Sequence, residues 1–198
     1  MKIELLAITQ DSEALIEKGA RICYDSTESP ETRKQFIQNL IKRGHEGIVE
    51  HGVATFRIEG ISRACSHQLV RSRICSFNQR SQRYVKESEF KYVIPPSIAK
   101  DRDKLQRYKD TMARLRNEYS IMLKDGIPPE DARFVLPNAC TTELIMTANF
   151  RALRNFLKLR LDSHAQWEIK ELAQRILEIL YEQAPSIFED LKLTISRI

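Results

Sequence analysis

Arg71, Arg73, Arg80 and Arg83 fall in one short stretch of the chain that contains no acidic residue. Guanidinium groups present planar forks of donors that match phosphate oxygens two at a time, so arginines clustered on one segment have the composition of a phosphate clamp. The same stretch interleaves Ser72, Ser76, Asn78, Gln79, Ser81 and Gln82, whose hydroxyls and amides can address a sugar or a base. Two kinds of ligand fit this description. One is a small nucleoside phosphate. The other is single-stranded RNA, with Phe77 and Tyr84 as stacking partners. Composition alone also leaves room for a third reading, a solvated basic face.

Other chemistry-bearing residues point less far by themselves. His45-Glu46 opens like a zinc-hydrolase motif, but that motif needs a second His four residues after the first, and Val49 stands there. The four cysteines, Cys23, Cys65, Cys75 and Cys140, form no C-x-x-C pair, so no metal site is expected. They read as small buried hydrophobes of a reducing compartment. Cys75 has the setting of a thiol with a lowered pKa, because arginines flank it. Ser81 has no general base near it in sequence, so no protein nucleophile is assigned. Arg160, taken alone, is a helical arginine suited to a surface salt bridge. His164 opens a predicted helix, whose N-terminal dipole would lower its imidazole pKa. Trp167, the only tryptophan, reads as a packing anchor.

The stretch that begins at Arg71 resembles the signature of flavin-dependent thymidylate synthases: Arg-His-Arg, two residues, Ser, four residues, Ser, one residue, Arg. It matches at Arg71, Arg73, Ser76, Ser81 and Arg83 and departs at Ser72, where the family usually has His. The likeness extends upstream through Gly44-His45-Glu46, Glu50-His51 and Ser62 to Gln68. Downstream it takes in Ala132-Arg133, Val135-Leu136-Pro137, Asn149-Phe150-Arg151, Asn155 and the run from Leu159 to Ile169. It thus covers nearly the whole chain in order.

The resemblance implies dTMP synthesis from dUMP and methylenetetrahydrofolate, with FAD as cofactor and NADPH as reductant. It implies that Gln68, Leu69, Val70, Arg71, Gln79, Arg80, Ser81, Gln82, Arg83, Arg133 and Arg160 would contact dUMP, with Arg71 and Arg83 near its phosphate. It implies that His45, Glu50, Arg71, Ser72, Arg73, Ile74, Gln79, Asn149, Phe150, Arg151, Asn155 and His164 would form the FAD site. Arg160 would carry the catalytic role: a guanidinium beside the N3 edge of uracil stabilises negative charge on the ring and favours attack from C5. A homotetramer with shared active sites is also implied. Gln79 stands where Glu is frequent, and Gly47 where a hydroxyl residue often touches FAD. The Ser72 departure keeps open a related flavoenzyme that hydroxymethylates a pyrimidine nucleotide.

The elements that would position these residues follow from periodicity and turn chemistry. A first helix is predicted from Ser12 to about Tyr24, with Leu15, Ile16, Ala20 and Cys23 inward. A second starts at Ser29-Pro30 and ends at Gly44. Val53 to Ile58 alternates as a strand that Gly60 breaks, and Ser62 caps a short helix to about Val70. The arginine segment suits a loop, and Tyr84 to Ile94 an extended run stopped by Pro95-Pro96. From Ala99 to Lys124, Leu105, Tyr108, Met112, Leu115, Tyr119 and Met122 mark one apolar helical seam. A helical turn over Glu130 to Leu136, a strand from Cys140 to Ala148, and helices Asn149 to Leu161 and His164 to Ala184 complete an α+β pattern. The pattern is helix-rich, with a small, mainly antiparallel sheet.

At 198 residues with 42% hydrophobic content the chain can bury a sizeable core, and residues 1–198 read as a single domain. Apolar runs are only a few residues long, which excludes a membrane-spanning helix. The amino terminus has no apolar run of signal-peptide type, so the cytoplasm is expected. The net charge of +5 is too modest to require a nucleic-acid partner, and none is expected.

Overall fold

The computed structural model describes residues 1–23 and 32–195. Helices predominate, and four strands form one antiparallel sheet in the order β1-β2-β4-β3.

Strand β1 (Lys2–Ile8) was not anticipated; its polar-apolar alternation covers only Lys2 to Leu5. Helix α1 (Ser12–Cys23) buries Ile16 and Ala20, spaced to share one face. Leu15 and Cys23, expected inward, are exposed. The expected start of the second helix at Ser29-Pro30, like Tyr24, lies outside the described residues. Helix α2 (Arg33–Lys42) is opened by a capping box in which Thr32 and Gln35 satisfy each other's backbone N–H groups. Gly44, at φ +83°, ends this segment in the left-handed region, and a 3-10 turn follows over Glu46–His51.

Strand β2 (Val53–Ser62) buries Ala54, Phe56 and Ile58 as the alternation predicts. Gly60 does not break it. At φ +73° the glycine takes a left-handed turn without the steric cost of a Cβ, and pairing resumes to Ser62. The Ser62 hydroxyl then accepts from the Cys65 N–H at 3.0 Å to start α3 (Arg63–Leu69). The arginine segment, read as loop throughout, contains the edge strand β3 (Ser76–Gln79).

Tyr84 to Ile94 is not extended strand but irregular chain with one bridge, Tyr92 to Cys140. Beside the bridge, the Val93 N–H donates to the Ala139 carbonyl (2.9 Å) and the Lys91 carbonyl accepts from the Thr141 N–H (2.8 Å), and side chains of the long helix satisfy other parts of this backbone. The Glu87 N–H donates to the Tyr119 hydroxyl (3.2 Å), and Arg116 donates to the Phe90 carbonyl (2.6 Å). Helix α4 (Pro96–Ala99) precedes α5 (Arg102–Lys124). Asp101 separates the two by capping the N–H groups of Asp103 and Lys104, which moves the expected start of the long helix from Ala99. Helix α6 (Pro129–Ala132) and a 3-10 turn (Arg133–Val135) lead to β4 (Thr141–Asn149).

Helix α7 (Phe150–Arg160) is capped by the Asn149 side chain, which accepts from the Ala152 N–H at 2.8 Å. Helix α8 (Trp167–Gln183) begins three residues after His164, the expected start, with Gln166 as its cap. Helix α9 (Pro185–Ile195) was not anticipated. Pro185 reads as a stop, yet proline also fits the first position of a new helix, where its missing N–H costs nothing.

The chain divides into two compact units. One comprises Met1–Lys2, Ile58–Gln68 and Asn78–Leu144. Its core gathers Phe90, Met112 and Cys140, with Tyr108 and Leu115 of the α5 seam packed against them. The other comprises Ile3–Arg57, Leu69–Phe77 and the chain from Ile145 onward. In it, Phe150 meets Phe188 edge-on at 5.3 Å, and a Cβ at Gly52 would overlap the Phe150 ring. Glycine lets the backbone close in there, so the Phe150 N–H donates to the Gly52 carbonyl at 2.7 Å. Arg154, only 1% exposed, joins α7 to α9 through a two-pronged bond to Asp190 (2.8 and 2.7 Å) and a bond to the Ile187 carbonyl. No helix among the described residues is long and apolar enough to cross a membrane.

Candidate functional site

The stretch after α3 folds back on itself. The Ser72 N–H donates to the Leu69 carbonyl (3.0 Å) and the Cys75 N–H to the Ser72 carbonyl (3.1 Å), which puts Arg73 and Ile74 at the tip of a turn. Helix α7 buries Ala152, Leu153, Phe156 and Leu157 and leaves Arg151, Asn155 and Leu159 exposed, four residues apart, on one face. The turn and this helix border a cleft of about 400 Å³ lined by Arg71, Ser72, Arg73, Ile74, Cys75, Asn155, Phe156, Leu159 and Arg160, among others. Three guanidinium groups and one amide therefore surround a space whose walls include Ile74 (73% exposed) and Leu159 (61% exposed). Such a donor set suits a ligand that is part phosphate and part flat, apolar ring, which is the chemistry of a flavin dinucleotide.

Several expected flavin-site residues belong to the same unit without lining that cleft. Glu50 and Arg151 pair at 2.5 Å, both about half exposed. His45 is exposed at the head of the 3-10 turn. Asn149 caps α7 through its side-chain oxygen. The Phe150 ring is fully buried in the core and offers a ligand no side-chain contact. His164 is 94% exposed, with Nδ1 2.9 Å from Asp162, whose carboxyl is held below its ordinary pKa mainly by hydrogen bonds from His164. Because α8 starts at Trp167, the helix-dipole argument for His164 does not hold. Trp167, read as a packing anchor, is 37% exposed, so the core does not fully enclose it. Cys75 also departs from expectation: burial pushes its thiol up to about 11, the reverse of the shift its arginine neighbours implied. Burial raises Cys140 to about 12.

The expected nucleotide residues of the other unit centre on Gln79 to Arg83. Gln79 Nε2 donates to the Ser66 hydroxyl (2.9 Å) and the Thr142 hydroxyl (3.2 Å). The Arg80 N–H donates to the Glu143 carbonyl (2.9 Å), its carbonyl accepts from Arg63 (2.8 Å), and its Nε lies 3.2 Å from Glu87. The Ser81 hydroxyl accepts from the Arg83 N–H at 3.2 Å, and the half-buried Gln82 sits between them. Arg83 pairs with Glu130 at 2.8 Å, and that bond raises its pKa. The pair is solvent-exposed, so it contributes little and is open to exchange for a phosphate. Arg133 donates to the Glu130 carbonyl (2.9 Å). Gln68, next to last in α3, is half-buried, Leu69 at its end is fully buried and falls in the other unit's share of the chain, and Val70 is exposed. Sequence reasoning did not single out Arg63, Glu87 or Glu130. The only signal was indirect: an arginine stretch without acids must find its counter-charges elsewhere in the chain.

Residues 4–186 match the family model described as thymidylate synthase complementing protein. A flavin-dependent thymidylate synthase of Geobacter sulfurreducens is 44% identical over 200 residues, covering 96% of this chain and 86% of that protein. One from Clostridium tetani is 37% identical over the same shares of the two chains. One from Pyrococcus furiosus is 40% identical, covering 90% of this chain and 78% of that protein.

Proposed function

Since the chain belongs to the flavin-dependent thymidylate synthase family, we propose that it converts dUMP to dTMP. The one-carbon unit comes from methylenetetrahydrofolate, FAD is the redox cofactor and NADPH the reductant. The observation that carries this reading is the family match across nearly the whole chain, joined to a cleft lined by matched residues Arg71, Arg73, Asn155 and Arg160.

Bound FAD would supply the reducing equivalents. Arg71 and Arg73 would hold phosphate oxygens, and Asn155 would give a hydrogen bond to the cofactor. Gln68, Arg71, Ser81, Arg83 and Arg133 would bind the nucleotide, with the Gln79 to Arg83 main chain wrapped around it. Arg160 would stabilise charge on the uracil ring and so raise electron density at C5. Thiolate attack is disfavoured, because thiols raised to about 11 at Cys75 and about 12 at Cys140 stay protonated at neutral pH.

We read residues 1–198 as one catalytic domain, since a single family match spans parts of both units. Free cysteines support a cytoplasmic setting. The homotetramer would bring several copies to each active site and cover exposed side chains such as Phe134 and Tyr84. The purified protein should therefore be yellow, bleach with NADPH, and elute as a tetramer that loses flavin when diluted to monomer. A protein that stays colourless after incubation with excess FAD and removal of the unbound flavin overturns the cofactor assignment; a monomer that holds FAD stoichiometrically overturns the shared site.

Ser72, the departure from Arg-His-Arg, gives a second test. Serine offers less packing area and one hydroxyl in place of two ring nitrogens. The difference amounts to about 1–2 kcal/mol, or roughly a five- to thirtyfold weaker hold on FAD. Ser72→His should tighten the FAD dissociation constant by that factor. Weaker binding would mean the pocket is shaped around serine, which favours the hydroxymethylating alternative.

A further inference from the structure

Arg80 is the second residue of the Gln79 to Arg83 segment, and its backbone is gripped from both sides. Its N–H donates to the Glu143 carbonyl of β4 at 2.9 Å, and its carbonyl accepts from Arg63 at 2.8 Å. Arg63 lies on a different element, the first turn of α3, and that turn is itself fixed. The Arg63 N–H donates to the Cys140 carbonyl (2.9 Å) and the Ala64 N–H to the Asn138 carbonyl (3.1 Å). The half-buried guanidinium thus springs from a rigid base. Burial pulls its pKa down, and the strongest opposing influence is the charge of Glu87. The buried Glu87 carboxylate faces Arg80 Nε at 3.2 Å, so one acid stands in the field of both arginines. A guanidinium held this way does not need to touch a ligand to control one, because it sets the path of the backbone beside it.

On the reading that Gln79 to Arg83 receives dUMP, we propose that Arg63 is a positioning residue. Its charged hydrogen bond to the Arg80 carbonyl holds this segment in the nucleotide-binding conformation before dUMP arrives. Without Arg63, dUMP must order the segment as it binds, and affinity falls by the cost of that ordering. The FAD cleft bordered by Arg71 to Cys75 and α7 contains no residue bonded to Arg63. Gln79, the one member of the segment also expected to touch FAD, is held by its own bonds to Ser66 and Thr142, so FAD should keep its affinity.

The test uses the purified full-length protein and its Arg63→Ala and Arg63→Lys variants. Dissociation constants for dUMP and FAD are measured by calorimetry, and amide exchange is followed at Arg80 and in α5. Arg63→Ala should weaken dUMP roughly ten- to a hundredfold. FAD affinity should stay within twofold, and exchange should speed up at Arg80 but not in α5. Arg63→Lys, which can still donate to a carbonyl, should recover part of the loss. Equal dUMP affinity in wild type and Arg63→Ala overturns the proposal, as does a parallel loss of FAD and of α5 protection, which marks a merely structural role. Failure of the wild-type protein to bind dUMP at all overturns the functional reading instead.

Discussion

Arg160→Ala is expected to lower dTMP turnover by roughly a hundred- to a thousandfold, the range seen when one preorganised donor to developing charge is removed. Arg160 is the last residue of α7 and lines the same cleft as Arg71, Arg73 and Asn155. Alanine would leave the other two guanidinium groups in place, so FAD loading should survive. Uracil would lose the cation that offsets its developing negative charge. dUMP affinity should fall as well, because a hydrogen bond from a charged donor contributes about 1.5–3 kcal/mol. Single-turnover measurements on the flavin-loaded variant separate the two effects. Normal methylation by Arg160→Ala would remove this residue from the mechanism.

The second large effect concerns stability. Arg154→Ala should destabilise the protein by about 3–5 kcal/mol, the usual cost of breaking a buried ion pair from one side. The lower end is expected, because the Asp190 side chain is half exposed and can be rehydrated. That is still a large share of a typical folding free energy of about 5–15 kcal/mol. The loss has identifiable parts: two bonds to Asp190, one to the Ile187 carbonyl, and a longer one to Glu46 at 3.5 Å. Glu46 keeps Lys158 at 2.6 Å, so it is not left bare. Replacing both partners, as Arg154→Met with Asp190→Leu, should recover much of the loss.

The same ion pair makes acid sensitivity predictable. Burial pushes the Asp190 and Glu46 carboxyls up, but the bonds and charges of Arg154 and Lys158 outweigh it and hold both below their ordinary values of 3.8 and 4.5. Folded-state pKa values below the unfolded ones mean stability that is present above the ordinary carboxylate range and lost as pH falls through the folded values. The gap in denaturant midpoint between wild type and Arg154→Ala should therefore narrow in acid. A constant gap across pH would show that the ion pair contributes nothing.

Local signals located the elements well where a side chain decides the backbone. Ser62 and Asn149 cap helices as their types predict, the β4 alternation describes a buried face, and the α5 seam is buried at Met112 and Tyr119 and half-buried along the rest. Errors arose where distant residues decide. Tyr84 to Ile94 has strand-like composition, but only its end near Tyr92 pairs with neighbouring chain, and Tyr119 and Arg116 take backbone bonds at Glu87 and Phe90. Cys75 has arginines beside it in sequence, yet burial governs its thiol. Of the site, the turn from Arg71 and the exposed face of α7 were legible as matched residues, and the cleft they border follows from helical spacing at Asn155 and Leu159. Arg63 was not legible as a site residue, because its role rests on a carbonyl seventeen residues away.

The central claim is tested most directly by the mass of the product. Wild-type protein is incubated with FAD, NADPH, dUMP and methylenetetrahydrofolate carrying an isotopic label in its one-carbon unit, and the nucleotides are analysed by mass spectrometry. The account predicts dTMP with the label in its methyl group, formed only when both flavin and reductant are present. A hydroxymethylated nucleotide, or unchanged dUMP with a flavin-loaded protein, would contradict it.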